Sequence, residues 1–527
     1  MIVGQFVHAD LDLSGAVGFL GLHTVAGREY AGQRFRHPID TEAGLKSLQE
    51  PVIAIRRRIR LDAALERGLC TALTDLSNAE VAVSEMTNYE TIDKRITETI
   101  EQVYWKAGTM GSFMNTWGYI IEMILFYKTL FLPGFAVLMP FLIVIIPFFL
   151  LNGMFGLQIT IADYCRVLQR LVLTNAPAIP IADATSPVAR AAKYLYILMS
   201  AGVFVSNIWN QIQAAIHLRS VAEDIRTRGQ SLLDYVGAAR RLALLLENDE
   251  GRANADSVGF TAETNALGAF GMMYNEPRGL ARLKDWVAEI DLRVATARLK
   301  GICFPKAVAA ASGSGGFSLS IKGLYHPGVP AGRRVLNDYD SDSHVLLTGP
   351  NRGGKSTLCK SLGLAVMTAQ SWGITWAKSM TLVPIVRFET ALAPADTLGR
   401  MSLFEAEIEF AKHLIAVAEK ARVDSQEGPM MVIMDEIFHS TNAHDGAEAS
   451  LIFLKQLYAK GGTAVGSLVS THYRELPDKL GEQAETWCME AHDRGYAGIH
   501  YTYRCIPGIS TVSSVREILQ ERGLLVS

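Results

Sequence analysis

The sequence predicts a chain of two parts: an all-α region interrupted by transmembrane-like helices, followed by a C-terminal α/β domain with a mostly parallel sheet. Three observations carry this prediction. A glycine-rich turn at 349–357 lies between a β-type run and a helical pattern, an apolar run at 430–434 ends in two carboxylates, and residues 129–162 include no charged side chain. Strands that alternate with helices are typical of parallel sheets, and long uncharged runs are typical of membrane helices.

Length and composition restrict the class of protein. The 527 residues suffice for about three or four domains, and 49% hydrophobic residues is high for a soluble protein. The formal charge of −3 gives no electrostatic argument for nucleic-acid binding. Six scattered cysteines without C-x-x-C spacing indicate neither a disulfide framework nor a zinc site. We expect no cleavable signal peptide, because MIVGQFVHADLDL lacks a basic region followed by an apolar one.

Helices are predicted on both sides of the apolar stretch. Between residues 41 and 107, apolar side chains recur at three- and four-residue steps, which is typical of a helix with one buried face. These positions are Leu45, Leu48, Val52, Ile55, Ile59, Leu61 and Leu65. Residues 217–247 and 280–299 show the same pattern. The arginine run at 56–60 is interpreted as a solvated helix face with acidic partners rather than as a phosphate contact.

The insert at 118–216 contains two predicted transmembrane segments, at about 118–151 and 194–216. The first is apolar on all sides, and Pro133, Pro140 and Pro147 recur in it every seven residues. A membrane helix accommodates such prolines better than a buried soluble helix does, so we expect one kinked helix or a hairpin broken at Pro133-Gly134. The second segment carries several Asn and Gln residues, which weaken the prediction. The alternative for both is a packed core helix.

The turn at 349–357 matches the phosphate-binding loop (P-loop, or Walker A) motif G-x-x-x-x-G-K-[ST] in its strand–turn–helix setting. Glycines let backbone N–H groups surround an anion at the positive end of the following helix. Lys355 would neutralise the β- and γ-phosphates, and the Ser356 hydroxyl would bind Mg²⁺. The predicted nucleotide-binding residues of this loop are Gly349, Pro350, Asn351, Arg352, Gly353, Gly354, Lys355, Ser356 and Thr357.

Two further strand ends supply groups that a nucleotide hydrolase needs. The strand MMVIMDE, residues 430–436, would place Asp435 beside the phosphates as a Mg²⁺ ligand and Glu436 beside the attacking water as general base. A later β-type run, 463–470, is followed by His472, which would sense the γ-phosphate. Lys355, Glu436 and His472 are therefore the predicted catalytic residues.

These motifs carry a family resemblance. TGPNRGGKST, MDEI followed by STNAHDG, and STHYREL, in this order, resemble the ATPase domain of the MutS mismatch-repair family, a relative of ABC-type ATPases. GLYHPGV looks like the segment that precedes the core of that domain, and YRCIPGISTVSS looks like its closing segment. RMSLFEAEIEF is similar to the family's S-x-F-x-x-E-M element, with Ser402, Phe404 and Glu407 in register. HPIDTEAGLKSLQEPVIAIRRR and DWVAEIDLRVATARLKGICFP look like the two ends of the family's helical core domain. The resemblance thus implies core parts at 1–117 and 217–305, and a P-loop ATPase domain at 306–527.

The resemblance implies further roles. Ser402 and Asn442 would act in trans across a homodimer, and Tyr503 would stack on adenine; the cofactors would be ATP and Mg²⁺. Two departures matter: Arg352 stands where the family usually has Met, and Phe438-His439-Ser440 replaces Gly-Arg-Gly. Because glycine reaches positive φ without strain, we expect altered geometry in this dimer-facing loop.

Together, these observations and the resemblance favour the hypothesis of an ATP-gated, membrane-associated dimer. It would lack the family's mismatch-reading domain and would carry the apolar insert where the family has a DNA clamp. Both core parts must then lie on one side of the membrane, with the ATPase domain in the cytoplasm, so the insert crosses an even number of times or only dips in. The alternative is a soluble cytoplasmic repair or recombination factor that binds mismatched or branched DNA and buries the insert. A third reading, a structural nucleotide-binding protein without turnover, conflicts with the intact Glu436.

Overall fold

The computed structural model describes residues 1–87, 100–106, 108–175, 187–275, 277–309, 316–392, 403–423, 428–494 and 498–522. Packing divides the chain into two compact units: residues 1–74 together with 284–527, and residues 75–283. We call them the nucleotide unit and the helical unit. The predicted domain boundaries at 117, 216 and 305 stay predictions, because they follow sequence resemblance whereas these units follow packing.

The nucleotide unit begins with a short strand and a layer of helices. These elements are β1 (Ile2–Val3), α1 (Val7–Asp10), α2 (Leu13–Val17), α3 (Val25–Arg34) and α4 (Glu42–Leu61), and α5 (Ala63–Thr87) leads into the helical unit. Thr41 caps α4, since its hydroxyl accepts the Gly44 N–H at 3.2 Å. The apolar face predicted here is buried at Leu45, Val52, Ile55 and Ile59. Leu61 is exposed, because the helix ends at this residue.

A seven-stranded sheet forms the centre of the nucleotide unit. Its strand order is β1-β7-β8-β9-β5-β10-β11, and every neighbouring pair is parallel except β10 with β11. The strands are β5 (His344–Thr348), β7 (Arg387–Ala391), β8 (Met430–Asp435), β9 (Val465–Ser470), β10 (Glu485–Asp493) and β11 (Ile499–Pro507), with β1 at the edge. The predicted mostly parallel sheet is therefore present.

A second sheet of four strands, which the sequence analysis did not predict, has the order β2-β6-β3-β4. Its strands are β2 (Lys306–Ala307), β3 (Leu319–Leu324), β4 (Asn337–Ser341) and β6 (Ser379–Leu382). Helix α13 (Lys355–Trp372), which follows the glycine-rich turn, contacts β3, β8 and β9, and nearly all of its residues are buried. The remaining helices of the unit are α14 (Leu403–Val423), α15 (Ala443–Gly461), α16 (Leu476–Leu480) and α17 (Val515–Glu521).

The helical unit is all-α in its described residues. Its helices are α6 (Gly118–Phe126), a π-helical turn (Tyr127–Phe131), α7 (Leu132–Gly153), α8 (Ile161–Asn175), α9 (Pro187–Leu246), α10 (Asp249–Asp256) and α11 (Ala266–Asn275), and α12 (Arg278–Arg298) leads back to the nucleotide unit. Helix α9, of 60 residues, contacts α6, the π-helical turn, α7, α10 and α11. In its second half, side chains such as Leu232, Tyr235 and Leu242 are buried.

The apolar insert forms a long, exposed helical stretch. Among the described residues, one helix is long and apolar enough by length and composition to cross a membrane: Gly118–Gly153, whose most apolar window has a mean hydropathy of 2.7 and no buried residue. It continues through Pro133 instead of breaking into a hairpin there. The predicted second segment, 194–216, is the first half of α9, and most of its large apolar side chains are also exposed.

Candidate nucleotide site

The P-loop lies between the central strand β5 and the helix α13. All five residues of β5 are buried, and the chain then turns through three residues with positive φ: Gly349 (154°), Arg352 (69°) and Gly354 (98°). Such a turn brings successive backbone N–H groups to one concave side at the start of a helix. The sequence prediction placed this loop correctly between a strand and a helix.

Lys355 points back into this loop. Its side chain is only 5% exposed, and its Nζ donates to the Gly349 carbonyl at 3.0 Å. The same ammonium lies 3.5 Å from Oε1 of Glu436, which follows β8. A buried ammonium needs such partners, because burial without them would disfavour its charge. The loop therefore presents a fixed positive charge where a phosphate would lie.

The ends of the neighbouring strands β8 and β9 bring the acidic groups together with a histidine. Asp435 pairs in register with Ser470, whose hydroxyl donates to the Asp435 carboxylate. The Glu436 N–H donates to the Ser470 carbonyl at 3.1 Å. His472 follows two residues later, with its Nδ1 3.5 Å from Oε1 of Glu436. The four predicted residues Lys355, Asp435, Glu436 and His472 thus lie at one edge of the sheet.

The Glu436 carboxylate is held in its ionised form. The hydrogen bond from His472, followed by the nearby Lys355 ammonium, lowers the pKa of Glu436 from 4.5 to about 2, and partial burial opposes this shift. Glu436 is therefore an acceptor across the neutral pH range. It can orient a water molecule through a hydrogen bond.

A cavity of about 460 Å³ opens beside the loop. Its lining includes Lys355, Ser356, Thr357 and Glu436, together with Tyr503 of β11. Tyr503 has φ of 57°, and its backbone carbonyl accepts a hydrogen bond from Asn337 Nδ2 at 3.1 Å. The predicted adenine-stacking ring therefore lines the same cavity as the predicted phosphate-binding residues.

A further wall of this cavity has no role predicted from the sequence. That wall is lined by residues between β3 and β4, among them Tyr325, His326 and Arg334. The Arg334 guanidinium lies over the Tyr325 ring, 4.6 Å from its centroid. The segment GLYHPGV was recognised only by resemblance, because a loop from a separate small sheet gives no local signal of where it packs.

The trans-acting roles predicted for Ser402 and Asn442 stay predictions. Ser402 lies outside the described residues. Asn442 caps α15 by accepting the Asp445 N–H at 2.9 Å and does not line the cavity. In the adjoining turn, Phe438 has φ of 57° although it is not glycine. The Phe438 ring is buried, and its packing helps to hold this strained left-handed backbone.

The residues fit Mg²⁺, which the resemblance implies. Mg²⁺ prefers oxygen ligands and is usually bound through one or two protein groups together with phosphate oxygens and water. The hydroxyl of Ser356 and the carboxylate of Asp435 are donors of this kind. Among the described residues, no group of three or more His, Cys, Asp or Glu side chains could hold a metal ion by itself. The donor set therefore suits a cation bound together with a nucleotide.

The family model that matches this part of the chain is MutS domain V, over residues 345–519. Residues 345–519 are thus similar to domain V of the MutS family. The match begins inside β5 and ends inside α17, so it includes the P-loop, Asp435, Glu436, His472 and Tyr503. The MutS-family domain is therefore the part of the chain that holds the candidate site.

Curated relatives align with the same region. The DNA mismatch repair protein MutS of Chlamydia abortus is 31% identical over 171 residues, which is 31% of this chain and 20% of the relative. The DNA mismatch repair protein MutS of Desulfovibrio desulfuricans is 27% identical over 216 residues, 39% of this chain and 22% of the relative. The endonuclease MutS2 of Streptococcus thermophilus is 28% identical over 193 residues, 36% of this chain and 23% of the relative. The alignments span about a fifth of each relative's length.

Proposed function

We propose that this MutS-family chain binds ATP with Mg²⁺ and hydrolyses it to ADP and phosphate at the cavity beside the P-loop. One observation supports this most: Oε1 of Glu436 lies 3.5 Å from both Lys355 Nζ and His472 Nδ1 at the mouth of that loop. A phosphate-binding lysine, an ionised carboxylate and a histidine, brought together from three strand ends, are the groups needed to bind a γ-phosphate and orient a water molecule.

The residues have distinct roles in this proposal. Backbone N–H groups of the loop and Lys355 bind the β- and γ-phosphates, while Ser356 and Asp435 hold Mg²⁺, which neutralises developing charge when bound. Glu436 orients the attacking water. Because the pKa of Glu436 is lowered to about 2, this carboxylate is a weak base, and its main contribution is orientation and electrostatic stabilisation. His472 reports the γ-phosphate through the same carboxylate.

Substitution of Glu436 tests this proposal. We expect Glu436→Gln to retain ATP binding and to lose at least about 100-fold in kcat, because the amide cannot supply the negative charge. Lys355→Ala should instead lose ATP binding. Lys360→Ala is the matched control, since Lys360 lies on the same helix α13 but is exposed and outside the cavity lining. Undiminished turnover in Glu436→Gln would overturn the assignment.

We also propose that the chain acts as an ATP-gated homodimer. The support is the similarity to MutS domain V, together with the exposed surface position of Asn442, which the resemblance assigns to the dimer contact. Glu436→Gln, which should trap bound ATP, should give a dimer by light scattering with ATP and a smaller species without it. Dimerisation that is independent of ATP would argue against gating.

The partner of this dimer is proposed to be a membrane, with the nucleotide unit on the cytoplasmic side. The support is the exposure of the long apolar helix Gly118–Gly153. DNA is the alternative partner, favoured by the similarity to relatives of which two are DNA mismatch repair proteins. A soluble dimer with salt-dependent affinity for mismatched or branched DNA would favour that alternative.

A further inference from the structure

The turn that carries Glu436 has a strained backbone. Glu436 has φ of 53° and Phe438 has φ of 57°, so two residues that are not glycine are left-handed within three positions. Such a conformation is strained for a residue with a Cβ atom, and it persists only where its surroundings hold it. Some contact must therefore fix this turn.

Glu407 of helix α14 makes that contact. Its side chain is 11% exposed, and its two carboxylate oxygens are used separately. Oε1 lies 3.3 Å from Nδ1 of His439, and Oε2 accepts the hydroxyl of Ser440. Two adjacent residues of the turn are thus tied to one nearly buried carboxylate.

His439 carries this contact back to the catalytic residue. Its Nδ1 is 2.8 Å from the carbonyl oxygen of Glu436 and 3.3 Å from Oε1 of Glu407. Both neighbours are acceptors, so Nδ1 must carry a proton and donate it. The Glu436 backbone is thereby connected to α14 through a single imidazole.

Helix α14 is itself a firm anchor. Its apolar face shares a core cluster with β8, in which Leu414 and Val432 are fully buried. The Phe438 ring lies edge-on between Phe404 of α14 and Phe453 of α15, at centroid distances of 5.9 and 6.0 Å. The Tyr473 hydroxyl donates to the Phe438 carbonyl at 2.8 Å. The turn is therefore held from several sides, with Glu407 the charged group among its supports.

We propose that Glu407 is a positioning residue that holds the Glu436 carboxylate beside Lys355 and His472, acting through His439 and Ser440. This rests on the proposed function. The proposal explains how the chain dispenses with the glycines that its family resemblance would place in this turn: hydrogen bonds to Glu407 hold the backbone that glycine would adopt freely.

Glu407→Ala tests the proposal, with Glu409→Ala as the matched control. Glu409 is two residues along the same helix, is exposed, and forms an ion pair with Lys412 on that helix at 2.8 Å. We expect kcat for ATP hydrolysis to fall by about tenfold or more in Glu407→Ala, with the Kd of a non-hydrolysable ATP analogue changed less than about threefold. Glu407→Gln, which keeps one acceptor oxygen, should be intermediate; it also serves if the alanine variant does not fold.

Two further measurements separate positioning from general support. Hydrogen exchange at the amides of 436–440 should become faster in Glu407→Ala and stay unchanged in Glu409→Ala. His439→Ala combined with Glu407→Ala should lower kcat by about as much as either change alone, because both remove one connection. Multiplicative losses in kcat, or a Glu407→Ala variant as active as the control, would overturn the proposal.

The outcome is distinguishable from failure of the proposed function. If the native chain does not hydrolyse ATP, or Glu436→Gln is as active as the native chain, the function itself is wrong. If hydrolysis depends on Glu436 but not on Glu407, only the positioning role is wrong.

Discussion

The Nδ1 atom of His472 lies 3.5 Å from Oε1 of Glu436, the same oxygen that lies 3.5 Å from the ammonium of Lys355. The parallel register of β8 and β9, in which Asp435 pairs with Ser470, brings the two residues together. One carboxylate oxygen thus receives a donor from the P-loop and a donor from the neighbouring strand end. If the chain binds ATP as proposed, this shared oxygen would connect the P-loop lysine to the histidine.

The first prediction concerns pH. Because the pKa of Glu436 is lowered in the folded protein from 4.5 to about 2, its ionised form stabilises the fold above about pH 4.5, and this contribution is lost as pH falls toward 2. We expect the difference in urea midpoint between the native chain and Glu436→Gln to shrink over that window. In His472→Gln the pKa of Glu436 should lie closer to 4.5, so the loss should be smaller and should be complete at a higher pH. Parallel pH profiles for all three proteins would contradict the assignment.

The second prediction concerns Arg352. This P-loop residue forms an ion pair with Glu521 of α17, with both side chains about half exposed. Glu521→Gln should free the guanidinium for phosphate and strengthen ATP-analogue binding by about threefold at low salt, an effect of the size usual for exposed ion pairs. Titration calorimetry would measure it. In an Arg352→Met background the same change should have no effect, and an effect that persists there would contradict the prediction.

The third prediction concerns packing in the helical unit. A Cβ atom on Gly229 of α9 would lie 1.9 Å from the backbone carbonyl of Ala266, at the start of α11. Gly229→Ala should therefore destabilise the unit by about 1–3 kcal/mol, the usual range for overpacking. Gly237, also on α9, has no neighbour within 4 Å of such an atom, so Gly237→Ala should be neutral or stabilising by about 0.5–1 kcal/mol. Thermal unfolding would compare them, and equal shifts would contradict the prediction.

The fourth prediction concerns the membrane. After a carbonate wash, the intact chain should remain in the membrane pellet, whereas a version lacking 118–216 should be released with its ATPase activity. The reason is that large exposed apolar surfaces, such as that of α7, are unstable in water. Labelling of Cys165, an exposed thiol on α8, with an impermeant maleimide would then report which side of the bilayer this helix faces. If both versions are soluble, the insert is not a membrane anchor.

Local motifs were sufficient to predict the P-loop, its strand and helix, and the carboxylates at the end of β8. The glycines, Lys355 and the Asp435-Glu436 pair could be recognised because the residues of each motif lie close together in the sequence. The mostly parallel sheet followed from the alternation of strands and helices.

Contacts between residues far apart in sequence could not be predicted in the same way. Strand β1 pairs with β7, Ile2 opposite Arg387, although two residues give no periodic signal. Glu407 was recognised only as a position that matches a family element, and its hydrogen bonds to His439 and Ser440 depend on how α14 packs. The loss of glycine at Phe438 suggested altered geometry, but aromatic packing holds the residue at positive φ.

The division into packing units has a consequence for biosynthesis. Residues 1–74 leave the ribosome first, yet β7, the strand that pairs with β1, lies beyond the whole helical unit. Because domains fold as units while the chain is being made, the helical unit can complete its packing before the nucleotide unit has all of its strands. The N-terminal helices must therefore wait, with their apolar faces uncovered, until translation has passed residue 387. During this interval, a chaperone that binds nascent chains could bind these uncovered apolar helix faces.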